Sequence, residues 1–131
     1  MDSKSLELLA EPVRIAAQAL RKLCDESGVE LLIYCTLRTN AEQAELYASG
    51  RTKPGRVLTN ARPGESLHNP DKSGLAWAFD AVPVLHGKAL FDNDAMLVTV
   101  GRLGESCGLE WAGRWSGKLR EKVHFQIRRK A

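Results

Sequence analysis

Apolar residues along the first part of the chain recur at helical spacing: Leu6, Leu9, Val13, Ala16, Ala17, Leu20, Leu23 and Cys24 fall on one face of a helix over residues 5–27. Ser5 is available as its cap, and Pro12 is the point at which the helix would split or restart. Gly28 ends it, and the apolar, partly β-branched run Val29–Thr36 then reads as a buried strand that delivers Arg38 to the surface. Thr39 or Asn40, with Glu42 in the first turn, signals a second helix that closes at Gly50.

From Arg51 to Ser73 the pattern dissolves into Gly, Pro, Asn, Ser and charge, which predicts a long loop. Loops of that length in compact domains usually carry function. Leu75–Val84 reads as a strand, Asp92–Cys107 as a capped helix ended by Gly108, and Lys122–Arg128 as a terminal strand. Helices and strands do not alternate regularly, so the expectation is an α+β fold, a small antiparallel sheet flanked by helices.

A chain of 131 residues has the size of one domain, and 44% hydrophobic with 27% charged residues is ordinary for a globular protein. We therefore expect a single domain over residues 1–131. The net charge of +3 gathers late, in Arg114, Lys118, Arg120, Lys122, Arg128, Arg129 and Lys130. This favours anionic partners, although a solvated surface explains it more simply. Aromatic residues do not interleave with these charges, so nucleic acid is not expected. Three cysteines, odd in number and set in apolar stretches, read as reduced buried thiols. The N-terminal residues carry Asp2 and Glu7 and lack both a basic start and a long apolar run, so no signal peptide and no membrane insertion are expected, and synthesis leaves the chain in the cytoplasm.

The chemistry centres on His68, Asp80 and His124, with Glu121 three residues before the last. Two imidazoles and a carboxylate suit a catalytic zinc ion, since three protein ligands leave one tetrahedral position open, and a nearby carboxylate that is not a ligand can act as a base. Read singly, the same residues are a turn histidine beside Asn69-Pro70, a strand-end cap and a sheet histidine. The wide spacing leaves both readings open. In Val123–Ile127, strict alternation sets Val123, Phe125 and Ile127 on one face and His124 and Gln126 on the other. Glu121 would then point away from His124 on a regular strand, and reaches it only if the strand begins after Glu121.

The local wording separates the readings. Ser66-Leu67-His68-Asn69, Gly74-Leu75-Ala76 and Ala78-Phe79-Asp80 resemble the Ser-x-His…Gly-x-Ala-x-Asp signature of the D-alanyl-D-alanine carboxypeptidase and L-alanyl-D-glutamate endopeptidase family. Glu121-Lys122-Val123-His124-Phe125 is similar to its closing acid-x-x-His motif. Leu37-Arg38-Thr39 with Glu42-Gln43, then Gly50-Arg51-Thr52 and Pro54-Gly55, resemble the segment that precedes the signature in the endopeptidase branch, which includes phage endolysins. Gly108–Trp115 resembles the Trp-Gly-Gly-x-Trp stretch, and the likeness spans residues 30–127.

The resemblance implies a zinc peptidase of the Hedgehog/DD-peptidase fold, with His68, Asp80 and His124 as ligands and Glu121 as general base. Arg38 would bind a substrate carboxylate or the developing oxyanion, and Ser66 and Trp115 would contact substrate. The upstream blocks favour the L-alanyl-D-glutamate bond of the peptidoglycan stem peptide; a D-alanyl-D-alanine carboxypeptidase and an inactive peptide-binding module are the alternatives. The family further implies access to the wall through a holin-type lesion or cell lysis; a monomer is expected, and by their charge the late basic residues would help hold anionic wall polymer.

Three departures stand out. The stretch between His68 and Asp80 is long, and it brings in Asp71 as a rival ligand, although a solvated turn carboxylate fits it better. Ala112 replaces a glycine, and Arg114 stands where an acidic residue is common. His86 fits a polar turn and is left out of the site; Trp77 and Trp111 read as core or rim.

Overall fold

The computed structural model describes residues 4–117 and 120–128. Helix α1 (Glu11–Glu26) buries Val13, Ala16, Ala17, Leu20 and Cys24, the stripe read from the sequence. It is shorter than predicted. Pro12 sits in its first turn, where the missing N–H costs nothing, and Leu9–Ala10 before it is extended. That segment is pinned to the long loop, with Ala10 N–H donating to the Ala76 carbonyl at 2.8 Å and Ala76 N–H to that of Leu8 at 2.8 Å. Ser5 therefore lies outside α1, before a single 3₁₀ turn at Leu6–Leu8.

Strand β1 (Glu30–Cys35) alternates exposed and buried positions, and helix α2 (Asn40–Ala48) starts at a full capping box between Thr39 and Glu42. No regular element follows until strand β2 (Ala78–Leu85), so the predicted strand begins three residues late; the preceding loop is held by its own turns and by tethers to α2 and to the segment after β1. His86 and Gly87, both with positive φ (52° and 74°), turn β2 into the short strand β3 (Lys88–Ala89). Two left-handed residues match the twist of a tight hairpin, which agrees with the polar turn expected at His86. Helix α3 (Asp94–Ser106) is capped by Asn93, and strands β4 (Glu110–Trp111) and β5 (His124–Gln126) close the sheet.

The sheet is antiparallel in the order β1-β2-β5-β4, with β3 on β2. Sequence periodicity could not show β3 and β4, because two-residue strands have no period. The core lies between one face of the sheet and helices α1 and α3, around Leu20, Phe79, Val100, Trp111 and Phe125. Phe79 and Phe125 are fully buried cross-strand partners with stacked rings, their centroids 5.4 Å apart. Because side chains alternate across a strand, the next pair along, Asp80 and His124, emerges together on the opposite face. The hydrophobic pattern thus fixes where two of the three candidate ligands point.

Candidate active site

Asp80 and His124 face the floor of a cleft of about 1020 Å³, and His68 reaches it from the loop. Two tethers hold that loop segment. Arg38 N–H donates to the His68 carbonyl at 2.9 Å, and the Asn69 side-chain amide donates to the Arg38 carbonyl at 2.9 Å. The Ser66 hydroxyl accepts from His68 N–H at 3.1 Å, and Asn69 Oδ1 accepts from the N–H groups of Gly64 and Ser66. A bulge in β1 between Ile33 and Cys35 sets Cys35 opposite Asp80, the local irregularity that often borders functional sites.

The three side chains meet in a triangle. His68 Nε2 lies 3.2 Å from His124 Nδ1 and 3.2 Å from Asp80 Oδ1, and His124 Nδ1 lies 3.1 Å from Asp80 Oδ1. The outer nitrogens fix what the inner ones carry. His68 Nδ1–H donates to the Thr36 carbonyl at 2.8 Å, so Nε2 presents a lone pair. Gln126 Nε2 donates to the Glu110 carboxylate at 2.9 Å, which leaves Gln126 Oε1 to accept from His124 Nε2–H at 2.8 Å. His124 Nδ1 therefore also presents a lone pair. With both rings neutral, as metal ligands must be, two lone pairs and a carboxylate oxygen converging at 3.1–3.2 Å would repel one another unless a cation sat among them.

The donor set fits a metal. A tetrahedral ion with bonds of about 2.0–2.1 Å separates its ligand atoms by about 3.3–3.4 Å, close to the edges of this triangle. Electrostatics point the same way. Burial alone would raise the Asp80 carboxyl, but His68 and His124 outweigh it and hold it well below the usual carboxylate range. Burial likewise opposes charge on His124, yet its bonds to Asp80 and Gln126 and the nearby Glu121 raise it above an ordinary imidazole. The cluster therefore attracts a positive charge, proton or metal.

Glu121 lies outside β5, as its approach to the cluster required. Its N–H donates to the Ala112 carbonyl at 3.2 Å, and its Oε2 sits 3.6 Å from His124 Nδ1 with the side chain 56% exposed. Arg38 and Ser66 line the cleft, Arg38 donating to Gln43 Oε1 at 3.2 Å. Trp115 also lines it, with its ring 5.7 Å from that of His124 and Nε1–H donating to Glu110 at 3.0 Å. Asp71 is elsewhere, accepting from the N–H groups of Ser73 and Leu75 and from Trp77 Nε1. It shapes the long loop, which accounts for the extra residues between His68 and Asp80.

Several contributors were not read from the sequence. Gln43 is fully buried and donates to the Ala61 carbonyl at 2.8 Å, tying the loop to α2. Gln126 and Glu110 sit on paired strands behind His124. Gln126 was visible as sharing a face with His124, but nothing local links Glu110 to it. The late basic cluster is largely neutralised where it is described: Arg114 pairs with Glu105, Lys122 with Asp94 and Arg128 with Glu110. The Glu105 pair also explains the arginine at 114. Lys118, Arg129 and Lys130 lie outside the described residues. As expected, Cys24, Cys35 and Cys107 are free thiols, the first two buried. Among the described residues no helix is long and apolar enough to cross a membrane.

A small antiparallel sheet backed by helices thus carries the His-Asp-His triangle on its open face. The fold resembles that of the Serratia marcescens L-Ala D-Glu endopeptidase ChiX, with a TM-score of 0.59 at 20% identity over 98% of this chain and 89% of that one. It also resembles the LD-carboxypeptidase LdcB, with a TM-score of 0.68 at 18% identity over 96% of this chain and 62% of the other. In sequence, the chain is 32% identical over 123 residues to the peptidoglycan L-alanyl-D-glutamate endopeptidase CwlK of Bacillus subtilis, covering 88% of this chain and 71% of that one. It is 29% identical over 119 residues to the L-alanyl-D-glutamate peptidase of Listeria phage A118, spanning 91% of this chain but 38% of the relative. No family model matches. The chain belongs to the peptidoglycan L-alanyl-D-glutamate endopeptidase family.

Proposed function

We propose that this chain is a zinc-dependent peptidase that hydrolyses the L-alanyl-D-glutamate bond of the peptidoglycan stem peptide. The observation that carries the reading is the triangle of two imidazole nitrogens and a carboxylate oxygen in an open cleft, with the Glu121 carboxylate 3.6 Å from His124 Nδ1. His68, Asp80 and His124 would hold the ion. When bound, zinc supplies Lewis acidity toward the scissile carbonyl and makes a water at the open position more acidic.

The protein groups supply the rest. Glu121 accepts the proton of the attacking water and returns it to the leaving amine, a role that its half-exposed carboxylate, 3.6 Å from His124 Nδ1, supports. Arg38, held toward the cleft by Gln43, stabilises a substrate carboxylate or the developing oxyanion. Ser66 and Trp115, both lining the cleft, orient the peptide. The similarity to an L-alanyl-D-glutamate peptidase of a phage supports the bond proposed; access to the wall through a holin-type lesion, as a monomer, is part of the same proposal.

Digestion of purified peptidoglycan with and without chelator and added zinc, followed by mass spectrometry, tests this reading. New L-Ala and D-Glu termini that vanish on chelation and return with zinc are expected. Release of terminal D-alanine alone would make the chain a carboxypeptidase, and no release by zinc-loaded protein would make it a binding module.

A further inference from the structure

The two histidines of the triangle are oriented by different means. His68 gives its outer proton to a main-chain carbonyl, that of Thr36, which no substitution removes. His124 gives its outer proton to a side-chain amide, and an amide has two ends. With Gln126 reversed, an NH₂ would face His124 Nε2, the ring proton would move to Nδ1, a nitrogen 3.1 Å from Asp80 Oδ1, and that proton would point into the triangle. An N–H there cannot ligate a metal. Something must therefore choose between the two orientations.

Glu110 makes the choice. It is the cross-strand partner of Gln126, and its carboxylate accepts from Gln126 Nε2 at 2.9 Å, from Trp115 Nε1 at 3.0 Å and from the Arg128 guanidinium at 3.0 Å on each of two nitrogens. A carboxylate so surrounded by donors stays ionised, and an ionised carboxylate can only accept. We propose that Glu110 and Gln126 are positioning residues that lock His124 in its ligating tautomer, and so set the metal affinity of the site from one strand beyond the ligands. The inference rests on the metal reading above. It gives Glu110 a role beyond the Arg128 pair, and it makes the β4–β5 pairing part of the metal centre.

The full-length chain tests this by two readouts. In ion-free protein at alkaline pH, where the ring is neutral, histidine ¹⁵N spectra of the parent should show the His124 proton on Nε2, and Glu110→Gln should mix or reverse the two forms. Zinc affinity, measured by competition with a chromophoric chelator, should fall about 10–100-fold in Gln126→Leu and in Glu110→Gln. Exchanging the pair, Glu110→Gln with Gln126→Glu, keeps a carbonyl-type acceptor against His124 and a donor behind it, and should recover affinity to within about tenfold of the parent. Glu105→Gln, which breaks a remote exposed pair, should leave affinity unchanged. A parent spectrum with the proton on Nδ1, unchanged zinc binding in Gln126→Leu, or an exchanged pair no better than the single variants would overturn the proposal. A parent that binds no zinc would instead sink the metal reading, and the ion-free spectra would still decide the tautomer.

Discussion

Gly104→Ala tests how closely the core is tied to the site. On an exposed helix the change would stabilise by about 0.8–1 kcal/mol, since alanine loses less backbone freedom on folding. Here a Cβ built at Gly104 meets Phe125 Cε1 at 2.5 Å and Cδ1 at 2.8 Å. Carbon atoms sit comfortably at about 3.5–4.0 Å, so the ring must retreat by about 1 Å. Phe125 is fully buried and stacked on Phe79 at 5.4 Å with planes 14° apart, so it cannot retreat without moving its partner. Overpacking of this kind costs about 1–3 kcal/mol, and the rigid neighbour places it in the upper half of that range. The net loss should be about 1–2 kcal/mol. For a chain of this length that is a fall in Tm of about 3–10 °C, measured by circular dichroism on ion-free protein. Phe125→Leu frees space at the ring, so the double variant should be more stable than the sum of the two single changes allows. A Tm at or above the parent, or strict additivity of the pair, would refute the reasoning.

Glu121→Gln should lower kcat about 10²–10⁴-fold, or about 3–5 kcal/mol of transition-state stabilisation, with zinc affinity held, as steady-state kinetics and chelator competition will report; loss of zinc with activity would make Glu121 a ligand instead. Ion-free His124 keeps its proton above the ordinary value of 6.5, so this pairing stabilises the fold below that pH and is lost as pH rises through the raised value. Asp80, held below its ordinary 3.8, stabilises above that pH and loses the contribution only as pH falls through its depressed value. On the proposed metal site zinc must displace the His124 proton, so its affinity should rise with pH up to the raised His124 value, with proton release visible by calorimetry in buffers of different ionisation enthalpy; a pH-independent affinity would contradict the arrangement. Burial, reinforced by Asp25 and Cys107, pushes the Cys24 thiol up to about 11, so thiol reagents at about pH 8 should modify it only after denaturation. Rapid labelling in the native chain would show that Cys24 is not held inside α1.

The apolar stripe of α1, the capping box of α2 and the alternation in Val123–Ile127 were legible because each is a local periodic or capping signal. From the alternation alone His124 had to leave the core, and Glu121 had to precede the strand. The Asp80–His124 pairing was not legible without the family wording, because strand register depends on partners 44 residues apart, which no local pattern reports. Glu110 was missed for the same reason: it sits on a two-residue strand and meets Gln126 only across the sheet. Asp71 was separable as a turn residue, but that its carboxylate organises the extra loop residues and holds Trp77 Nε1 required the fold.

The division between held and free groups bears on mechanism. His68, Asp80 and His124 are each fixed twice, by the triangle and by a strand register or an outer hydrogen bond, so their lone pairs cannot leave the shared point without breaking a second contact. Glu121 has a different anchor. Its main chain is tied through Ala112, and its carbonyl accepts from His124 N–H at 3.3 Å, yet the carboxylate is more than half exposed on the cleft rim. A ligand gains from immobility, because an ion bound at three fixed points pays no ordering cost when it binds. A proton carrier has the opposite need, since it must meet an acid at one moment and a leaving amine at the next. On the proposed roles, a triangle held on the sheet and a half-exposed carboxylate just before the strand begins would meet both needs. Three residues on, at His124, the chain enters β5, where a side chain would lose that freedom.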